Sequence, residues 1–282
     1  MFAPNAFSLS RRRLLAGALV ASALLGGCAH VPVLAPMQPM VPAPASARAL
    51  LAPTGALRVA VYPGSPTSLV EQAPPERMRG ISVDLGRALA ARLGVPAQIA
   101  VYPRLAKALA ALQRGDADLT VTNATAERAS LVDFAPTLVN LELGVLVPAE
   151  PRVTSVEALD QPGMTVGVSQ GSSSEKVLGS RLQQAKLRTF ATLDAARAAL
   201  QAREIDAFAT NKGILFELAE RVPGTRVLGG NWGSEHLAPA IPKGREGGMP
   251  YLRTFTEEVR RNGELDRAIG RAGLRGTLPS GR

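Results

Sequence analysis

A glycine followed by three serines, Gly171-Ser172-Ser173-Ser174, stands where a strand-like run gives way to a helix-like one. Such a segment offers free backbone N–H groups and the positive end of a helix dipole, which together receive an anion. Three more polar clusters sit in comparable places: Tyr62, the run Asn123 to Arg128, and Asn211-Lys212. Ser, Thr and Asn are also ordinary helix caps and turn residues, so each cluster alone reads equally as a structural device. Enzymatic chemistry is an alternative. Gly167-Val168-Ser169-Gln170-Gly171 fits G-x-S-x-G, and Asp206 and His236 follow in the order of a serine hydrolase.

The elements that must position these residues follow from the hydrophobic pattern. Leu57 to Val61 reads as a strand, and Leu85, Ala88, Leu89 and Leu93 recur at helical spacing until Gly94 and Pro96. Ala97 to Tyr102 is a second strand, Leu105 to Leu112 a second helix ending at Gly115, and Leu119 to Thr122 a third strand. A similar unit follows Pro162: strand Met164 to Val168, a helix after the serines, strand Leu187 to Phe190, helix Thr192 to Arg203 and strand Ile205 to Ala209. Two β-α-β-α-β units imply parallel sheets covered by helices, because parallel strands need crossover connections. Leu141 to Val147 is an extended run that could cross between the units, and two amphipathic helices, around Leu252 and Leu265, close the chain. The four polar clusters then fall beyond the carboxyl ends of strands, where open α/β sheets bind ligands. Two loops from each unit suggest a cleft closed from both sides.

The first part of the chain reads differently. Arg11-Arg12-Arg13 precedes an apolar run, Leu14 to Leu25, too short to span a bilayer and suited to a removable signal. Leu25-Gly26-Gly27-Cys28 resembles the bacterial lipobox, whose cysteine is lipidated, and Ser10 to Leu15 resembles a twin-arginine export signal. Residues 1–27 are thus expected to be a signal and Cys28 the lipid anchor. Residues 28–53, with prolines at 32, 36, 39, 42, 44 and 53, are expected to be an extended tether of up to roughly 75 Å at about 3.1 Å per residue. Cleavage would leave 255 residues, enough for two lobes, and lower the formal charge of +9 to about +6. Positives alternate with Glu and Asp, which argues against nucleic acid as a partner. With Cys28, the single cysteine, taken by lipid and only two histidines in the chain, disulfides, thiol catalysis and a histidine metal centre are all disfavoured.

The motifs in order carry a resemblance to a family. Gly80-Ile81-Ser82-Val83-Asp84-Leu85, Ala111 to Asp118, Thr125-Ala126-Glu127-Arg128 with Val132-Asp133-Phe134, Val166-Gly167-Val168 with Gly171-Ser172-Ser173, and Ile205 to Ala209 resemble the bacterial extracellular solute-binding proteins of family 3. These are the polar amino-acid type of ABC-transporter binding protein. The resemblance implies an α/β periplasmic binding protein type 2 fold, with two lobes of mostly parallel sheet flanked by helices and joined by two hinge strands. Lobe 1 would take residues 54–140, lobe 2 residues 141–236, and residues 237–282 would return to lobe 1 with the C-terminal helices. It implies a monomer, without cofactor or metal, that captures a small carboxylate-bearing ligand and delivers it to an ABC permease from the periplasmic face of a membrane. A ligand sensor without a transporter is one alternative; another, which the resemblance implies because a few proteins of that fold act as dehydratases on cyclic acids, would use Glu142 or Glu235 as the cleft carboxylate.

By the same resemblance Arg128 corresponds to the arginine that grips the ligand carboxylate, a role suited to a planar bidentate donor. Gly171, Ser172 and Ser173 correspond to the loop that receives the carboxylate from the other lobe, and Tyr62, Asn123 and Thr125 complete the expected site. Asn211 stands where the family has an aspartate for the ligand's ammonium. An organic acid is therefore the expected ligand unless Asp206, Glu142 or Glu235 restores the charge. Tyr62, Tyr102 and Trp232 are the rings available to sandwich it.

Overall fold

The computed structural model describes residues 43–278; the expected signal, Cys28 and the tether up to residue 42 lie outside them. The first unit runs β1 (Leu57–Val61), α2 (Ile81–Leu93), β2 (Ala97–Val101), α3 (Leu105–Arg114) and β3 (Thr120–Asn123), preceded by α1 (Ala45–Leu51). Its strands β1 and β2 pair in parallel with Val59 opposite Ile99, and a parallel bridge from Val59 to Leu119 sets the start of β3 beside β1. The expected helix at Leu85 begins earlier, at Ile81, because Gly80 at φ 155° turns the chain in contact with Ser68. A Cβ on Gly80 would lie 2.1 Å from the Ser68 carbonyl oxygen, so only glycine fits.

After the short helix α4 (Ala126–Ala129) and β4 (Val132–Phe134), the long strand β5 (Val139–Pro148) carries the chain into the second unit. That unit is β6 (Thr165–Ser169), α5 (Ser173–Arg181), β7 (Lys186–Phe190), α6 (Leu193–Gln201), β8 (Ala207–Asn211) and α7 (Lys212–Arg221), followed by β9 (Thr225–Val227). Strand β6 pairs in parallel with β7 and β8. The chain returns along β10 (Gly233–Pro242) to α8 (Met249–Arg261), α9 (Glu264–Ala272) and β11 (Thr277–Leu278).

The long antiparallel strands β5 and β10 join β3 of the first unit to the strands of the second in one sheet, ordered β3-β10-β5-β8-β6-β7, while β1 and β2 form a separate two-stranded sheet. β10 pairs with β3 and β4 of the first unit, and β5 pairs with β8 and β9 of the second. Apolar side chains of β1, α2 and β3 share one core with Leu252, Phe255 and Val259 of α8 and Leu265 and Ala268 of α9. The second unit has its own clusters around Val166 and Val168 and around Phe208 and Leu215.

The tether reading needs correction at its end. Residues 45–51 form α1 with Ala47 and Leu51 buried, and Arg48 Nε donates to the Leu93 carbonyl at the end of α2, 2.8 Å away. The segment Ala45 to Ala52 holds no proline and is made of good helix formers, so it folds once Pro44 has supplied a stop on its N-terminal side.

Candidate functional site

The carboxyl ends of β1, β3, β6 and β8 converge on one cavity between the units, about 50 Å³ in volume, or room for roughly three to five waters. Tyr62, Asn123, Arg128, Ser172 and Asn211 line it, as do Ser169, Thr122, Thr210 and Glu235. Gly171 and Ser173 lie against this group through hydrogen bonds rather than on the wall. Thr125 is not part of the lining: its hydroxyl caps α4 by accepting from the Arg128 N–H at 3.2 Å. Capping and site building coincide elsewhere. Ser172 accepts from the Glu175 N–H at the start of α5, and Asn211 Oδ1 from the Ile214 N–H at the start of α7.

Arg128 is 7 % exposed. Its Nη1 donates to Thr122 Oγ1 and the Asn123 carbonyl, and its Nη2 reaches across to the Gly171 carbonyl, each at 3.1 Å. A guanidinium has five N–H donors, so two remain after these three bonds. Burial pushes the guanidinium below its ordinary value, while the charges of Glu235 and Glu127 oppose that shift. Burial also raises the Tyr62 phenol, which therefore presents a neutral hydroxyl and ring. Gly171 has φ 75°, the left-handed region that favours glycine, and a Cβ there would lie 3.0 Å from Ala106 Cβ of α3. The loop after β6 thus packs directly on the first unit.

A second chain of contacts crosses the seam. Asn123 accepts from the His236 N–H at 2.8 Å and donates from Nδ2 to Ser173 Oγ at 3.2 Å. Ser173 in turn donates to Glu235 Oε1 at 2.7 Å, and Asn211 Nδ2 donates to Glu235 Oε2 at 2.9 Å. Glu235 is buried, on the inward face of β10, while its neighbour His236 is exposed, as strand alternation requires. Of the three acids that could restore the charge missing at Asn211, the cavity takes Glu235. Glu142 pairs with Lys212 and Asn231 instead. Asp206 accepts from the Thr165 N–H at the start of β6.

That last contact also dismantles the hydrolase arrangement. Ser169 ends β6 and Asp206 lies beside its beginning, roughly 13 Å away at 3.3 Å per residue, while His236 faces outward with Nδ1 on Asn140 Oδ1. Of the expected rings only Tyr62 reaches the cavity; Trp232 Nε1 is spent on the Gly144 carbonyl, and Tyr102 packs beside α3. Sequence reasoning missed Arg104, which lines the cavity from the loop between β2 and α3. Its signal was position: that loop too follows the carboxyl end of a strand.

A two-lobed α/β sheet with polar loops from both halves facing one cavity is the architecture of a ligand-capturing binding protein. Residues 57–271 match the bacterial extracellular solute-binding proteins, family 3, and the chain belongs to that family. It is 26 % identical over 157 residues to an ABC transporter glutamine-binding protein of Bacillus subtilis, covering 55 % of this chain and 57 % of that one. Among solved structures it resembles the L-cysteine solute receptor of Neisseria gonorrhoeae, with TM-score 0.71 and 24 % identity over 80 % of this chain and 92 % of that one. It also resembles an ancestral amino-acid-binding protein described as a precursor of cyclohexadienyl dehydratase, with TM-score 0.67 and 25 % identity over 77 % and 95 % of the two chains.

Proposed function

We propose that this chain captures a small carboxylate-bearing solute in the cavity between its halves and delivers it to an ABC importer. Supporting this reading above all is Arg128, a buried guanidinium at the seam that keeps two donors free beside the loop at 171–173. A carboxylate accepts such a pair side by side. Capture proceeds by hinge closure about β5 and β10, with the domain division at 54–140, 141–236 and 237–282. Ligand contacts made from both halves favour the closed population over the open one. The names of the relatives support amino acids as the class to test.

Arg128→Ala is expected to lower affinity by about 30-fold to several thousand-fold, the roughly 2 to 5 kcal/mol lost when one partner of a buried charge pair is removed. Calorimetry showing less than about a threefold loss at unchanged melting temperature would move Arg128 out of the site. In the same reading Cys28 carries the lipid that holds the domain at a membrane. Cys28→Ser should then leave the membrane fraction after alkaline wash, and retention there would defeat the anchor.

A further inference from the structure

Besides Arg128, two charged side chains line the cavity, Glu235 and Arg104. Glu235 is 7 % exposed and accepts from Ser173 and Asn211, both neutral. Among the described residues no lysine or arginine forms an ion pair with it. A carboxylate has about four lone-pair sites, so two hydrogen bonds leave it with accepting capacity directed at the cavity. Arg128 supports Glu235 through space but does not touch it, so the carboxylate keeps a direct contact open for a positive charge that the ligand itself brings. Asn211 cannot neutralise such a charge. With Oδ1 committed to the cap of α7, its Nδ2 orients Glu235, which makes it a positioning residue.

Arg104 stands at the opposite sign. It precedes α3 in extended backbone, its Nε is buried with no hydrogen-bond partner, and among the described residues its guanidinium makes neither a hydrogen bond nor an ion pair. Its planar fork needs an acceptor of matching shape. The lining therefore holds two cations and one anion, with no hydrogen bond or ion pair joining them.

On the reading of this chain as a carboxylate-binding solute receptor, we infer that the cavity is built for an α-amino dicarboxylic acid. The α-carboxylate lies on Arg128, the α-ammonium on Glu235 and the second carboxylate on Arg104. The charges then balance one for one. A plain diacid brings no ammonium to Glu235, a neutral amino acid brings no anion to Arg104, and a basic amino acid sets a second cation against Arg104.

The test is calorimetry on the whole chain with two matched sets: L-glutamate, L-glutamine and glutarate, and L-aspartate, L-asparagine and succinate. In at least one set the acidic amino acid should bind about 30-fold or more tightly than both its amide and its deaminated counterpart. Arg104→Gln should remove the preference for acid over amide, and Glu235→Gln the preference for amino acid over diacid. Amide and acid binding equally to the wild type would overturn the inference without any variant, so a poorly folded Glu235→Gln does not shelter it. Arg128-dependent binding of a carboxylate that ignores both Arg104 and Glu235 overturns this inference and leaves the carboxylate-binding reading standing. No binding of any of the six, with no thermal shift from a wider panel of carboxylates, overturns both.

Discussion

The two halves are built on one plan, and each fixes the aspartate ahead of its third parallel strand in the same way. Asp118 Oδ2 accepts from the Arg58 N–H at 2.8 Å, and Asp206 Oδ2 accepts from the Thr165 N–H at 2.8 Å. In both, a carboxylate ties the start of the third strand to the start of the first. The surroundings differ. The Asp118 side chain is 0 % exposed, with Arg58 and Arg245 each at 2.7 Å, whereas the Asp206 side chain is 27 % exposed, with Arg152 at 3.5 Å. Arg245 belongs to the chain that returns along β10, and only the first half receives that return. One local motif therefore serves as a buried lock in one half and as a half-open latch in the other, and what differs is the polypeptide laid over it.

The largest expected effect tests that contrast. Asp118→Ala strands two partly buried arginines and should cost about 3 to 5 kcal/mol of stability. Asp206→Ala, already open to water, should cost about 1 kcal/mol. At roughly 2 to 4 °C per kcal/mol for a chain of this size, thermal melts separate the two readily, and equal losses would abolish the distinction. A smaller effect compares helix caps. Thr125 caps α4 in the first half and Thr192 caps α6 in the second. Either mutation to Ala should cost about 1 kcal/mol. Thr125→Ala should also weaken ligand binding, because its hydroxyl holds the N–H of Arg128 itself, and unchanged affinity would show that the guanidinium is positioned without its helix.

The smallest effect belongs to the rim of the seam. Lys176 and Glu127 meet across it at 2.6 Å with both side chains largely exposed. The hydrogen bond from Lys176 holds the Glu127 carboxyl below its ordinary value. A lowered acid contributes fully above its unfolded value, and the contribution fades as pH falls through the lowered one. Glu127→Gln should change affinity by a few-fold at most at neutral pH, less still in high salt, and not at all once pH lies below that acidic window. A large effect at neutral pH would mean that the rim, not the cavity, holds the halves together.

The strands and helices of both β-α-β-α-β units were legible because their apolar spacing is local. Strand β5 was visible as the run Leu141 to Val147, and β10, which pairs beside it, was not marked by any comparable run. Helix α1 was hidden by the prolines around it, since composition over residues 28–53 averages away the seven good helix formers among residues 45–52. Of the expected site, the loops after β1, β3, β6 and β8 come together as read, with Thr125 behind the wall rather than on it. Trp232 and Tyr102 suit a ligand sandwich by ring type alone and pack elsewhere, because ring type carries no information about which face a backbone turns to the cavity.

The sequence by itself determined the alternation of strands and helices, the family, and the loops at which polar groups gather. All of these depend on residues near one another in the chain, where periodicity and caps act directly. Which charges face the cavity was decided only in three dimensions. Glu142, Asp206 and Glu235 are chemically alike in the sequence, yet one pairs with Lys212, one latches β6 and one is buried opposite Asn211. Strand alternation turns Glu235 inward and His236 outward, and the pairing of β10 with β5 and β3 sets that register. Arg104 belongs to both levels: its place in the loop after β2 is local, but the cavity it lines exists only where the second half meets that loop.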